Sequence, residues 1–238
     1  KPVSIDHIGA LSAQSDGPIL FENIVEYPGF RICDMLVKHR WSQCRALGVP
    51  EKDYLATLVR RLRQPPRGYS HVRSGPVKEV VFTGDDVDWT KLPVPVHSAK
   101  EGTPYISAMN IVKDPETGFF NTSHAGTSPV GPRRGLMSFV TPHTHLIMQK
   151  YRDRGETEMP IAIVFGLHPA YEIMANFSGM HMDLWGELEM VGTIMDMDVE
   201  MVACETIDLS VPANAEIVVE GKVNLTDLFD LGGVNAPT

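Results

Sequence analysis

The chain has 238 residues, a formal net charge of −9, and 43% hydrophobic against 21% charged residues, the balance of an ordinary globular protein. At this length roughly 70–75% of the unfolded surface can be buried, enough for a real core. The acidic excess excludes a general nucleic-acid or anionic-membrane binder, and no apolar run approaches the ~20 residues needed to span a bilayer.

Cys33, Cys44 and Cys204 form no CxxC pair. Their spacing suits a reducing cytoplasm, with the thiols acting as small core residues. No signal-peptide pattern opens the chain, and Lys1 rather than Met leaves room for residues upstream.

In chain order, Pro18-Ile19-Leu20-Phe21 reads as a short buried strand. Residues 53–62 read as a helix with Leu55, Leu58, Val59 and Leu62 on one face. Gln64-Pro65-Pro66-Arg67-Gly68 breaks that helix and marks the best domain boundary, between a mixed α/β region over 1–75 and a β-rich region over 76–238. Lys78–Phe82 reads as a strand, followed by a turn at Gly84-Asp85-Asp86. Tyr105–Val112 and Phe119–His124 form a hairpin around Asp114-Pro115-Glu116-Thr117-Gly118. There Pro115 presets φ, and Gly118 can take the positive φ that closes the turn. A helix is predicted from about Pro142 to Arg152, capped by Thr141 with Pro142 in its first turn. Ile161–Phe165 is an apolar strand, a short helix follows Pro169, and Met201–Asp208 and Glu216–Val219 supply further strands. Sheet-rich structure with segregated helices is an α+β pattern containing a barrel or sandwich.

Three features carry candidate chemistry. His143 and His145 lie where a loop enters a helix, a place that attracts phosphate and suits a neutral imidazole; an isolated His-x-His is more often a packing or surface feature. Asn121 ends a strand before the polar, Gly-rich stretch Thr122–Ser128, where an Asn is usually a turn former. Glu187 stands between apolar residues in Trp185-Gly186-Glu187-Leu188-Glu189-Met190, where a lone Glu is usually solvated. An amide oxygen, an imidazole and a carboxylate together would make a mixed site suited to Mn²⁺ or Mg²⁺.

Several runs resemble the UbiD family, in the family's order from about residue 17 to residue 221. They are Gly17-Pro18-Ile19-Leu20-Phe21-Glu22-Asn23, Gly84-Asp85-Asp86-Val87-Asp88, and Lys113–Gly118 followed closely by Asn121. Glu158–Gly166 with Pro169-Ala170 follows, and then Cys204–Ala213 continuing through Glu216–Gly221. The resemblance implies a split β-barrel flavin-binding domain after the N-terminal α/β region, and a prenylated FMN cofactor. The cofactor phosphate would be held by Mn²⁺ (or Mg²⁺) with a nearby K⁺. By position, Asn121, His143 and Glu187 match the metal ligands, with His145 in reserve for the imidazole. Ser123, His124 and Ala125 fall where the family's backbone wraps the flavin, and Ser178 falls near the cofactor or K⁺.

Two departures stand out. The family usually places an Arg five residues after the ligand Asn; here that residue is Gly126, with Arg133 or Arg134 as a substitute or a solvated loop charge. The family's paired glutamates have no match in Lys222–Thr238, which contains no Glu, and the C-terminal family domain is absent. His124, placed beside the stretch that would wrap the flavin, is the stand-in as proton donor.

The implied activity is a prenylated-FMN-dependent decarboxylation, or its reverse, of an aromatic or α,β-unsaturated carboxylic acid. The cofactor would come from a flavin prenyltransferase, and assembly would be with further copies or with a chain carrying the C-terminal domain. Two other readings stay open: a non-catalytic cofactor-binding subunit or remnant, and a plain metal-dependent hydrolase using His143, His145 and Glu187.

Overall fold

The computed structural model describes residues 1–98, 103–177 and 186–226. Helix α1 (Ile5–Gln14), strands β1 (Ile19–Phe21) and β2 (Ile32–Asp34), and helices α2 (Arg40–Ala46) and α3 (Tyr54–Leu62) make up the first part of the chain. On α3 the predicted stripe splits. Leu58 and Leu62 pack on the core, whereas Leu55 and Val59 are exposed, because Tyr54 is the residue the helix buries.

The hairpin is formed by β4 (Ile106–Lys113) and β5 (Phe120–Gly131). Its turn is fixed by Asp114, whose carboxylate accepts the amides of Glu116 and Thr117 at 2.9 and 3.3 Å. Gly118 takes φ +75°, where a residue with a Cβ would be strained. Lys150 then clamps the turn to helix α4 (Pro142–Asp153) at 2.7 Å from Asp114. Burial alone would raise the Asp114 pKa, but the Lys150 ammonium and the two turn amides outweigh it and hold the carboxyl below its usual range. Its contribution to stability is therefore present above the unfolded value of ~3.9 and is lost as pH falls through the depressed folded value. Asp114→Asn should cost about 1.5–3 kcal/mol at pH 7, as for hydrogen bonds to a charged group. The difference from wild type should shrink toward zero in acid unfolding titrations; a pH-independent difference would contradict this account.

Five antiparallel strands run β10 (Ile217–Asn224), β7 (Glu158–Phe165), β4, β5, β6 (Arg134–Ser138) in a curled half-barrel. A second sheet has the order β3 (Tyr69–His71), β8 (Val199–Ala203), β9 (Ser210–Pro212), with β3 parallel to β8. The fold is α+β, as the sequence implied. Side chains alternate across a strand, so the half-barrel has two working faces. Met109, Ile111, Ala162 and Val164 face helices α5 (Pro169–Ala175) and α6 (Glu187–Met195). Val112, Met159 and Ile161 face α4 through Ile147 and Met148.

Two predicted strands are corrected. Lys78–Phe82 is not a strand. Gly75 packs so tightly on Ala213 that a Cβ would lie 2.5 Å from its carbonyl oxygen, and Pro76–Lys78 turns as a single 3-10 turn. Lys78 is then tied to Glu205, and Val80 and Phe82 are left exposed with no ladder partner described. The strand predicted over Met201–Asp208 stops at Ala203. Cys204 donates its amide to the Leu209 carbonyl, and Glu220 accepts the amides of Glu205 and Thr206, which makes this run the β8–β9 turn.

Among the cysteines, Cys44 is buried as expected, whereas Cys33 is exposed on β2. Burial, reinforced by Glu220, pushes the Cys204 thiol up to about 12, which leaves it an inert thiol at neutral pH. No helix of the described residues is long and apolar enough to cross a membrane.

Candidate functional site

The site is built at one edge of β5. Strand β6 pairs with β5 only from Gly126 onward, so another element must satisfy the outer edge of the strand's first half. Helix α6 does so at Thr122, whose amide donates to the Glu187 carboxylate at 3.0 Å. Glu187 is the first residue of α6, after Gly186 as N-cap. Gly186 is held close: a Cβ there would lie 3.1 Å from the Phe120 carbonyl oxygen. Burial pushes the Glu187 carboxyl up despite the Thr122 hydrogen bond. A buried carboxylate of this kind is stabilised by a cation.

One residue earlier, Asn121 points to the other face of the sheet and is 1% exposed. Its Nδ2 donates to the Thr144 hydroxyl of α4 at 3.3 Å. Neighbouring residues of β5 are thus tied from opposite faces to the first turns of two helices, Asn121 to α4 and Thr122, through Glu187, to α6. Helix N-termini present unpaired N–H groups and about half a positive charge each, a phosphate-binding arrangement.

The two histidines flank Thr144 on the first turn of α4. His143 is half-buried. His145 is exposed, with Nε2 3.0 Å from the Phe139 carbonyl oxygen. Carbonyl contacts of that kind commonly orient metal-binding imidazoles, so His145 stands beside His143 as a candidate. Thr141 is the N-cap residue as predicted, but its hydroxyl meets the Thr144 hydroxyl at 2.9 Å instead of a backbone amide.

Ser123 and Ala125 lie on the Asn121 face and are buried. His124 lies on the opposite face, and its Nε2 is buried without a hydrogen-bond partner. Burial lowers its pKa, so the ring is neutral at pH 7. A buried, unpaired imidazole nitrogen is the kind of atom a bound group would satisfy. Gly126 lies under the Tyr105 ring, 3.3 Å from a built Cβ to Tyr105 Cδ2, and Tyr105 in turn stacks on His97.

Other sequence candidates fall elsewhere. Arg133 sits at the β5–β6 hairpin end in an exposed ion pair with Asp85 at 2.8 Å, and no described hydrogen bond joins it to the Asn121 group. Ser178 lies outside the described residues. Among the described residues no three His, Cys, Asp or Glu side chains form a metal-holding group, so the His143/His145/Glu187 set of a plain hydrolase is not assembled.

Sequence reasoning missed Asn110 and Thr144, and marked Thr141 only as a helix cap. No motif marks the first two, though the polar run Thr141-Pro142-His143-Thr144 on an otherwise amphipathic helix was a usable signal.

Residues 70–232 match the UbiD family, described as the 3-octaprenyl-4-hydroxybenzoate carboxy-lyase Rift-related domain, and this chain belongs to that family. It is 30% identical over 236 residues to anhydromevalonate phosphate decarboxylase of Methanosarcina mazei, covering 98% of this chain and 52% of that protein. To pyrrole-2-carboxylic acid decarboxylase of Pseudomonas aeruginosa it is 31% identical over 225 residues, 87% of this chain and 44% of that protein. Among solved structures it resembles an evolved dimeric form of the UbiD-class enzyme HmfF from Pelotomaculum thermopropionicum in complex with prFMN. The TM-score is 0.85 at 32% identity, over 93% of this chain and 52% of that one. The chain therefore spans about half the length of the relatives it matches.

Proposed function

We propose that this chain is the cofactor-holding part of a prenylated-FMN-dependent enzyme that decarboxylates, or in reverse carboxylates, an aromatic or α,β-unsaturated acid. The observation that carries the reading is the tie of neighbouring β5 residues to the first turns of two helices, Asn121 to α4 and Thr122, through Glu187, to α6. The donor set fits the group: an amide oxygen, an imidazole and a carboxylate suit Mn²⁺ or Mg²⁺, and the helix ends suit the phosphate. Asn121, Glu187 and His143 (or His145) would hold the divalent ion against that phosphate. The backbone of Ser123, His124 and Ala125, along the β5 edge that β6 leaves open, would wrap the flavin, with Ser178 the candidate neighbour of the cofactor or K⁺.

Loss of CO₂ from an sp² carbon leaves an anion too unstable to form unaided, and prenylated FMN, when bound, supplies the electron sink. The protein's part is orientation and proton handling. His124 Nε2, buried with no described partner, is the candidate proton-handling group: it would first take up a proton as imidazolium, which burial disfavours, and then deliver it to the carbon that loses CO₂. Arg133 remains a candidate for the substrate carboxylate only if it leaves Asp85. The cofactor would come from a flavin prenyltransferase, and further residues or a partner chain would complete the enzyme. The free thiols of the described residues accord with a cytoplasmic setting.

Co-production with a flavin prenyltransferase tests the reading. The wild-type chain should retain flavin and lose it on dialysis against EDTA, and the double variant Asn121→Ala, His143→Ala should retain none. Equal flavin content in the double variant would overturn the ligand assignment.

A further inference from the structure

Behind Asn121 lies a closed set of polar side chains. Asn110, Asn121, Ser123 and Thr144 are all 2% exposed or less. In such a place every donor and acceptor must be matched, because an unpaired buried group costs more than an average hydrogen bond gives. The pairing can be followed atom by atom. Asn110 Nδ2 donates to the Ser123 carbonyl at 2.8 Å, which turns Asn110 Oδ1 toward the Ser123 hydroxyl, 3.0 Å away. The single hydroxyl proton of Ser123 is thereby committed. Thr144 Oγ1 has its shortest contact with Thr141 Oγ1 at 2.9 Å, against 3.4 Å to Ser123 Oγ. Either hydroxyl of that pair can donate; with the Thr144 proton passed to Thr141, Thr144 has a lone pair left for Asn121 Nδ2 at 3.3 Å.

A carboxamide that gives its nitrogen to Thr144 must turn its oxygen the other way. We infer that Thr144 is a positioning residue that fixes Asn121 with Oδ1, rather than Nδ2, presented to the metal site. The inference rests on the proposed function, in which Asn121 is a metal ligand. An amide has one end that can ligate a cation and one that cannot, so its orientation decides whether Asn121 is a ligand at all. In Thr144→Val the shape is kept but the acceptor is gone, and the carboxamide is no longer held to one orientation. Thr144→Ser restores the hydroxyl.

The test is equilibrium Mn²⁺ binding, read from the electron paramagnetic resonance of unbound Mn²⁺. It uses flavin-loaded protein from co-production with a prenyltransferase, stripped of divalent metal and then titrated. Thermal unfolding without added metal is followed alongside, and Asn121→Ala is the control for the site. Thr144→Val should bind Mn²⁺ about 10- to 100-fold more weakly than wild type, the range for losing a group that orients a ligand, and Thr144→Ser should return near wild type. If Thr144→Val lowers only the unfolding temperature and binds Mn²⁺ like wild type while Asn121→Ala does not bind, the residue is merely structural and the inference fails alone. If wild type takes up no Mn²⁺, or Asn121→Ala binds as well as wild type, the site reading fails and takes the inference with it.

Discussion

Glu187→Gln should abolish metal and flavin retention while leaving the fold intact. The amide oxygen of Gln can still accept the Thr122 N–H that Glu187 now holds at 3.0 Å, so the contact between α6 and the β5 edge survives. What disappears is the negative charge. Ca²⁺-, Mg²⁺- and Mn²⁺-type oxygen sites are tuned chiefly by ligand charge, and this is the one carboxylate of the candidate set. Mn²⁺ affinity should drop by at least about 100-fold, beyond the roughly 10- to 100-fold expected for an outer partner.

The metal-free stability should move the other way. Burial raises the Glu187 pKa, so the folded state favours the neutral form, and ionisation near neutral pH works against folding. Removing the charge should leave the metal-free variant at least as stable to heat as wild type. A variant that unfolds well below wild type yet still retains flavin would contradict both halves of this expectation.

The second large effect concerns stability. Trp89→Ala should cost about 3–5 kcal/mol, the range for truncating a buried aromatic residue. Trp89 is 8% exposed and packs with Ala108 and Ile163 of the half-barrel. Its indole N–H is shared between the Gly131 and Arg134 carbonyls at 3.0 Å each, and its own amide donates to the Pro132 carbonyl at 3.1 Å. The ring so fills the space over the hairpin that a Cβ on Gly135 would sit 2.1 Å from Trp89 Cζ2. Trp89 therefore pins the β5–β6 hairpin end against the sheet. Denaturant unfolding of Trp89→Ala against wild type measures this; a loss below ~1 kcal/mol would mean that the hairpin end is held by other contacts.

The parts of the fold legible in the sequence were those written in local chemistry. Pro115 and Gly118 announced the β4–β5 turn, Thr141 and Pro142 announced the start of α4, and the unbroken apolar run announced β7. Lys78–Phe82 misled because β propensity is a statement about fitting a pleated neighbour, and Gly75, Pro76 and the Lys78–Glu205 pair hold this segment away from any strand described. Cys204–Asp208 misled for the complementary reason. The turn there is set by Glu220, some fifteen residues downstream.

The site was legible only as residue types. Asn121, His143 and Glu187 were singled out as donors, but the contacts that tie Asn121 to α4 and Glu187 to β5 run across 23 and 65 residues, which spacing does not encode. Asn110 and Thr144 carried no motif, because their role is to satisfy other groups.

The measurement that tests the account most directly is a native mass spectrum of the chain co-produced with a flavin prenyltransferase. A species heavier than the bare 26.3 kDa chain by prenylated FMN plus one manganese- or magnesium-sized ion is the predicted result. A bare chain under the same conditions, with no flavin and no divalent metal, would contradict the claim that the β5 edge between α4 and α6 is a cofactor site.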